Sequence, residues 1–135
     1  MGRGPRDVRD FSVEDIDRSI AEAEQLVEMK MGRAAVMVAW AAFESAMRMR
    51  IRAEGGRAGW GANSRVMLNE LYSTGALSDS EFRQLESLSM LRNQIVHGFT
   101  SLSSESHSTT FDEVSLLRDV GLRLAYESAM VAQSA

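Results

Sequence analysis

Apolar residues recur every three or four positions along most of this chain, which is the period of an α-helix with one buried face. We expect five helices and no strand. The first helix follows Ser12, a residue type that often caps helix N-termini, and its apolar stripe consists of Ile16, Ile20, Ala23 and Val27. The second spans about residues 33–53, where alanines that permit close helix approach flank a stripe of larger residues, namely Val36, Trp40, Phe43 and Met47.

Short start and stop signals delimit the third and fourth helices. Gly75 ends a third helix over about residues 65–73, whose apolar positions are Val66, Leu68 and Leu71. Ser78 and Glu81 have the spacing of a capping box, so the fourth helix is expected to open there. Arg92 lies close to its predicted buried stripe of Phe82, Leu85, Leu88, Ile95 and Phe99.

The same capping-box spacing at Thr110 and Glu113 predicts the start of the fifth helix, after a Ser- and Thr-rich loop over residues 100–110. The pattern as a whole indicates an all-α fold, an up-down helical bundle in which the fourth helix packs near the Trp40 helix. Residues 1–11 are rich in Gly and Arg and are expected to form a flexible tail, which leaves residues 12–135 as a single domain.

Composition narrows the class of protein. With 135 residues and 44% hydrophobic side chains, the chain is long enough for one domain with a core of its own. The absence of cysteine excludes disulfides and thiolate zinc sites, and it suits a reducing compartment. No apolar run approaches the roughly 20 residues needed to cross a bilayer, and the N-terminus lacks the apolar core of a signal peptide. We therefore expect a cytoplasmic protein with no membrane partner.

Charge is unevenly distributed along the sequence. The net charge of −4 argues against indiscriminate nucleic-acid binding through phosphate neutralisation. Residues 15–28 carry five acidic side chains against one arginine, whereas residues 33–65 carry six arginines against two glutamates. Two interpretations stay open: these arginines line a phosphate path, or they pair with the acidic first helix.

The densest group of chemically capable residues is the segment Leu91-Arg92-Asn93-Gln94-Ile95-Val96-His97-Gly98. Gly98 is expected to end the fourth helix, which places His97 in its last turn. Five helical positions rotate by roughly 140°, so Arg92 and His97 do not stack, although Asn93 can contact His97. An open site, or one completed by a second copy of the chain, fits better than a closed pocket. The alternative is structural: a histidine at the C-terminal helix dipole and an arginine in a surface ion pair.

This segment resembles the Arg-polar-x-x-x-His motif of the HEPN superfamily, read here as Arg92, Asn93, three residues and His97. The earlier Ala39-Trp40-Ala41-Ala42-Phe43-Glu44 resembles the first-hairpin helix of bacterial HEPN proteins. The all-helical pattern around both segments extends the resemblance over most of the chain.

The resemblance implies a metal-independent endoribonuclease that works as a homodimer, with the motifs of two chains facing one cleft. His97 would transfer protons, Arg92 would stabilise the charge on the phosphorane, and Asn93 would position the phosphate or the imidazole. Glu44 would support the site by pairing with Arg92 or another buried arginine. No group of Asp, Glu and His has metal-ligand spacing, and we expect neither a metal nor another cofactor.

A second class of function stays open, because some members of such families are non-catalytic modules for dimerisation or nucleic-acid binding. Retention of both Arg92 and His97 favours the enzyme. Either class is compatible with a partner protein, such as an antitoxin or a component of a bacterial defence system.

Overall fold

A computed structural model describes residues 11–56, 63–98 and 107–134. All five predicted helices are present in these ranges, which contain no strand: α1 (Val13–Glu28), α2 (Gly32–Ala53), α3 (Ser64–Ser73), α4 (Asp79–Val96) and α5 (His107–Ser134). Within the same ranges, no helix combines the length and the apolar character that a membrane crossing needs.

Reciprocal side-chain hydrogen bonds fix the starts of two helices. At α1, Ser12 Oγ accepts a hydrogen bond from Asp15 N at 3.1 Å, and Ser12 N donates to Asp15 Oδ2 at 2.9 Å. At α4, Ser78 and Glu81 make the same pair of bonds at 3.1 and 3.0 Å. The predicted capping box of the fourth helix is therefore confirmed. The sequence alone could indicate it, because its geometry depends only on residues three positions apart.

The start of the fifth helix was wrongly predicted. The helix α5 begins at His107, so Thr110 lies inside it and does not cap it. A 28-residue helix draws most of its stability from packing, which lets it run through a local cap signal. Of the predicted loop, residues 100–106 lie outside the described residues.

The core is built mainly from α1, α2 and α5. Trp40 and Phe43 are buried as predicted, with ring centroids 5.3 Å apart. Val66 was wrongly predicted to face the core: it is 61% exposed, and its neighbour Met67 is buried instead. Phe11, assigned from sequence to the tail, packs against this core, and its backbone N–H donates to Ser45 Oγ at 3.3 Å.

The two most closely packed helices, α2 and α5, run parallel. Gly121 of α5 lies opposite Phe43 of α2. Arg50, seven positions further along α2, has its Nε 3.5 Å from a carboxylate oxygen of Glu127, six positions further along α5. Residue numbers therefore rise together along the two helices. A strict up-down order would make α2 and α5 antiparallel, so the predicted bundle is correct in class and helix number but not in this direction.

In the sequence, a hairpin of α3 and α4 separates the two parallel helices α2 and α5. It is attached to α5 by Arg123, which donates hydrogen bonds to Glu81 and to the backbone oxygen of Ala76. The helix α4 packs mainly on α3 and touches α2 less extensively. This arrangement leaves a groove between α2, α3 and α4.

Candidate functional site

The groove between α2, α3 and α4 contains three of the four residues singled out from the sequence. Its volume is about 440 Å³, which falls within the usual range for small-ligand sites. Its walls are formed by Glu44, Arg48, Asn63, Ser64, Arg65, Leu68, Phe82, Glu86, Ser89, Met90, Arg92 and Asn93. The side chains of Glu44, Arg92 and Asn93 thus meet at one surface, although they come from two helices.

Arg92 and Asn93 are neighbours in space as well as in sequence. Arg92 Nη1 donates a hydrogen bond to Asn93 Oδ1 at 3.0 Å. The Nε of Arg92 is buried and has no hydrogen-bond partner among the described residues. A buried donor without a partner is unfavourable, and the side chain that carries this donor lines the groove. The guanidinium therefore has hydrogen-bonding capacity to offer an anionic ligand.

Glu44 occupies the α2 wall of the groove. Its carboxylate accepts a hydrogen bond from Ser64 Oγ, at the first residue of α3. The expected ion pair with Arg92 is not among the salt bridges of the described residues, although both side chains line the groove. Asn63 caps α3 through its Oδ1, which accepts from Arg65 N at 2.8 Å. This cap and the Glu44–Ser64 bond together hold the start of α3 beside the groove.

His97 does not line the groove, although its backbone N–H donates to the backbone oxygen of Asn93 at 3.0 Å. The helix α4 ends at Val96, and His97 is its C-cap, followed by Gly98 with φ +74°. That positive φ is the left-handed conformation that the sequence predicted for Gly98. The imidazole is on an exposed residue and is not one of the groove-lining side chains. The structure therefore brings Arg92 and Asn93 into the groove, whereas His97 follows the last residue of α4 and is not among the groove-lining residues.

Three arginines and two glutamates line the groove, which gives it a local charge of +1 in a chain of net charge −4. Among the described arginines of residues 33–65, Arg48 and Arg65 reach it. Arg65 forms an exposed ion pair with Glu86 at 3.5 Å. Arg50, by contrast, turns to the α2–α5 interface and pairs with Glu127.

The acidic first helix finds a different partner from the one considered at the sequence level. Glu24 Oε2 lies 2.7 Å from Arg118 Nη1, so this residue of α1 pairs with α5. Arg48 of α2 and Arg65 of α3 line the groove instead. Of the two interpretations, the position of these two side chains in the groove favours the one in which they face an anionic ligand.

Sequence reasoning did not single out Ser64, and it placed Phe82 only on the buried stripe of the fourth helix, whereas Phe82 is half-buried and lines the groove. Ser64 is 20 residues from Glu44, and nothing in a linear pattern joins the two. A weak signal existed for the α4 wall, because Phe82, Glu86, Ser89 and Asn93 recur at helical spacing and form one face. That face combines an aromatic ring with polar side chains, which distinguishes it from a simple core stripe.

No group of three or more His, Cys, Asp or Glu side chains in the described ranges is placed to hold a metal ion. Compared with known proteins, the chain matches no protein-family model and no curated protein.

Proposed function

We propose that this chain is a HEPN-like endoribonuclease that cleaves RNA through attack of the 2′-hydroxyl on the adjacent phosphate. The observation that carries the proposal is the open groove lined by Arg92 and Asn93, where Arg92 Nη1 donates to Asn93 Oδ1 and the buried Nε of Arg92 has no partner among the described residues. RNA brings its own nucleophile, so the protein has to supply only proton transfer and stabilisation of charge. These tasks match the side chains of Arg92, Asn93 and His97, and they need no metal ion.

Each residue has a distinct task in this reaction. Arg92 would hold the phosphate and the negative charge that develops on the phosphorane, because a planar guanidinium can donate two parallel hydrogen bonds. Asn93, which already accepts a hydrogen bond from Arg92, would keep that guanidinium oriented. His97 would transfer a proton at the neighbouring oxygen.

The separation of His97 from the groove favours assembly from two chains. Arg92 lines the groove and His97 lies past the end of α4, five residues further on. In a homodimer with the two α4 ends facing each other, the imidazole of one chain could serve the groove of the other. A further partner, such as an antitoxin or defence-system protein, would act on this dimer to control its activity.

A non-catalytic module for dimerisation or nucleic-acid binding is the second candidate function. The observation that favours it is the same separation of His97 from the groove within one chain. In that case the groove would bind RNA phosphate through Arg92, Arg48 and Arg65 without cleaving the chain. The two functions differ in whether RNA is cut.

The proposal is tested by incubating the protein with single-stranded RNA and excess EDTA and identifying the product ends by mass spectrometry. We expect products with 2′,3′-cyclic phosphate and 5′-hydroxyl ends, and no cleavage where the scissile sugar is 2′-deoxy. Arg92→Ala and His97→Ala should each lower the rate by about a hundredfold or more, with little change in thermal stability.

Arg83→Ala is the matched control, because Arg83 is an exposed arginine of the same helix that pairs with Asp79 outside the groove. It should cleave RNA at the wild-type rate. A requirement for Mg²⁺, or products ending in 3′-hydroxyl, would contradict the mechanism. RNA that binds but is never cut would favour the binding module.

A further inference from the structure

The groove contains two carboxylates, and their surroundings differ. Glu86 is engaged by Arg65 in an ion pair across the groove rim. Glu44 is half-buried, accepts a hydrogen bond from the Ser64 hydroxyl, and is in none of the salt bridges between described residues. A carboxylate offers about four acceptor positions, so the bond from Ser64 leaves Glu44 able to accept a further hydrogen bond, such as one from a hydroxyl group of a ligand.

Cleavage of RNA through its 2′-hydroxyl requires two proton transfers. A base must remove the proton of the 2′-hydroxyl as the oxygen attacks phosphorus, and an acid must protonate the departing 5′-oxygen. A single imidazole cannot occupy both positions at once on opposite sides of the phosphorus. In the proposed dimer each groove receives one imidazole, that of the other chain, so one of the two roles is left without a residue of the motif.

Glu44 lies where that missing group is needed. It shares the groove with Arg92 and Asn93, the side chains proposed to hold the phosphate, whereas His97 does not line the groove. The Ser64 hydroxyl orients the carboxylate, and the start of α3 fixes Ser64 in turn. General-base catalysis needs a base held within reach of the proton that it removes. The hydrogen bond from Ser64 restricts the position of the Glu44 carboxylate in this way.

We infer that Glu44 is the general base of the reaction, with His97 left as the general acid; this assignment rests on the proposed function. The Glu44 carboxylate takes the proton of the 2′-hydroxyl, and the 2′-oxygen forms a bond to phosphorus. The bond between phosphorus and the 5′-oxygen breaks, and His97 donates a proton to that oxygen. The products are a 2′,3′-cyclic phosphate and a 5′-hydroxyl, with Glu44 protonated and His97 neutral until they exchange protons with water.

The first test is the dependence of the cleavage rate on pH in Glu44→Gln. Carboxyl groups titrate about two pH units below imidazoles, so a carboxylate base gives a rate that rises with pH in the acidic range. Glu44→Gln preserves the shape of the side chain and should lower kcat by about a hundredfold and abolish that acidic limb. The melting temperature of each variant verifies that it is folded.

The second test separates the base from the acid. A nucleoside 3′-(p-nitrophenyl phosphate) has a leaving group that departs without a proton, so it needs the base but not the acid. On this substrate we expect His97→Ala to recover to within about tenfold of wild type, whereas Glu44→Gln stays impaired by about a hundredfold. This test distinguishes the base from the acid, whereas the pH profile of the first test distinguishes a base from a merely structural role, because a structural role would lower the rate of Glu44→Gln and leave the acidic limb in place.

Glu86→Gln is the matched control, because it removes the same charge from the same groove. It should retain the acidic limb of the pH profile. RNA cleavage by Glu44→Gln with an unchanged pH profile would overturn the assignment of Glu44 and leave the proposed function intact. The same is true if the good leaving group rescues Glu44→Gln instead of His97→Ala. Absence of cleavage by the wild-type protein would overturn the proposed function and the assignment together.

Discussion

Arg123 shows how a single side chain can attach one unit of the fold to another. Its guanidinium contacts both carboxylate oxygens of Glu81, at 2.6 and 3.1 Å, and donates to the backbone oxygen of Ala76 at 2.7 Å. These bonds join the turn between α3 and α4 to α5. The hydrogen bond from Arg123 lowers the pKa of Glu81, and the same bond raises the pKa of Arg123.

We expect Glu81→Gln to lower the free energy of unfolding by about 1 kcal/mol at pH 7. Glutamine retains the reach of the capping box but loses the charge that Arg123 pairs with. Because the pKa of Glu81 is lower in the folded state, its stabilising effect is present above the unfolded-state value of about 4.3 and is lost as the pH falls through the folded-state value. Urea denaturation of both proteins at pH 7 and near pH 3 measures this difference.

In that experiment wild type and variant should converge in stability at the lower pH. Glu86→Gln is the control, since its partner Arg65 is 70% exposed and such pairs contribute little. A difference that persists unchanged in acid would show that Glu81 acts through shape rather than charge.

Helix ends are the clearest features at the scale of the element. The N-termini of α1 and α4 each have a reciprocal capping box, and α3 is capped by the side chain of Asn63. Each cap supplies partners for backbone N–H groups that the helix itself leaves unpaired. For α4 the cap also fixes where the helix starts, and hence which face carries Phe82 and Arg92 towards the groove.

Ser78→Ala should therefore destabilise the protein by about 1 kcal/mol, the usual cost of losing an N-cap. Ser80→Ala, two residues further into α4, is the matched control, because Ser80 only accepts a hydrogen bond from Gln84 on the exposed surface. Thermal or chemical denaturation of both variants measures the difference. Equal stabilities for the two variants would show that Ser78 does not act as a cap.

At the scale of the whole molecule, small residues decide how α2 and α5 meet. A Cβ added at Gly121 would lie 3.4 Å from Phe43 Cδ1 and 3.9 Å from Ala46 Cβ, so the two helices are in close contact there. Ala46 is one of the alanines predicted to permit close approach, and it is buried, as is Ala42 one turn earlier in α2. The groove exists because α4 does not pack equally closely on α2.

The assembly prediction belongs to the same scale. We expect light scattering at micromolar concentration to give about twice the chain mass of 14.9 kDa. The proposed site needs His97 of a second chain, and Val96 beside it is a hydrophobic residue that is 48% exposed. Val96→Glu should therefore give a monomer with greatly reduced RNA cleavage, since a buried unpaired charge disfavours association.

Met130→Glu is the control for this experiment, because Met130 is also exposed, at 68%, but lies on a different helix, α5. It should leave the dimer intact. A wild-type protein that is strictly monomeric, yet cleaves RNA, would contradict the two-chain site.

Several features follow from the sequence alone because they depend on residues only a few positions apart. The helical class, the five helices, the cap at Ser78 and the end of α4 before Gly98 are all of this kind. A capping bond spans three residues, and a positive φ is a property of one residue, so neither needs the rest of the fold. The burial of Trp40 and Phe43 likewise follows from the 3.6-residue period.

Other features were decided only by the tertiary structure. The parallel direction of α2 and α5 and the burial of Met67 in place of Val66 depend on packing between distant segments. The groove is the clearest example, because it brings Glu44, Ser64 and Arg92 together from three helices. The sequence identified Arg92 and suggested Glu44, but the helix rotations and directions that join them, and that leave His97 outside, are set by long-range contacts of the core that no local pattern encodes.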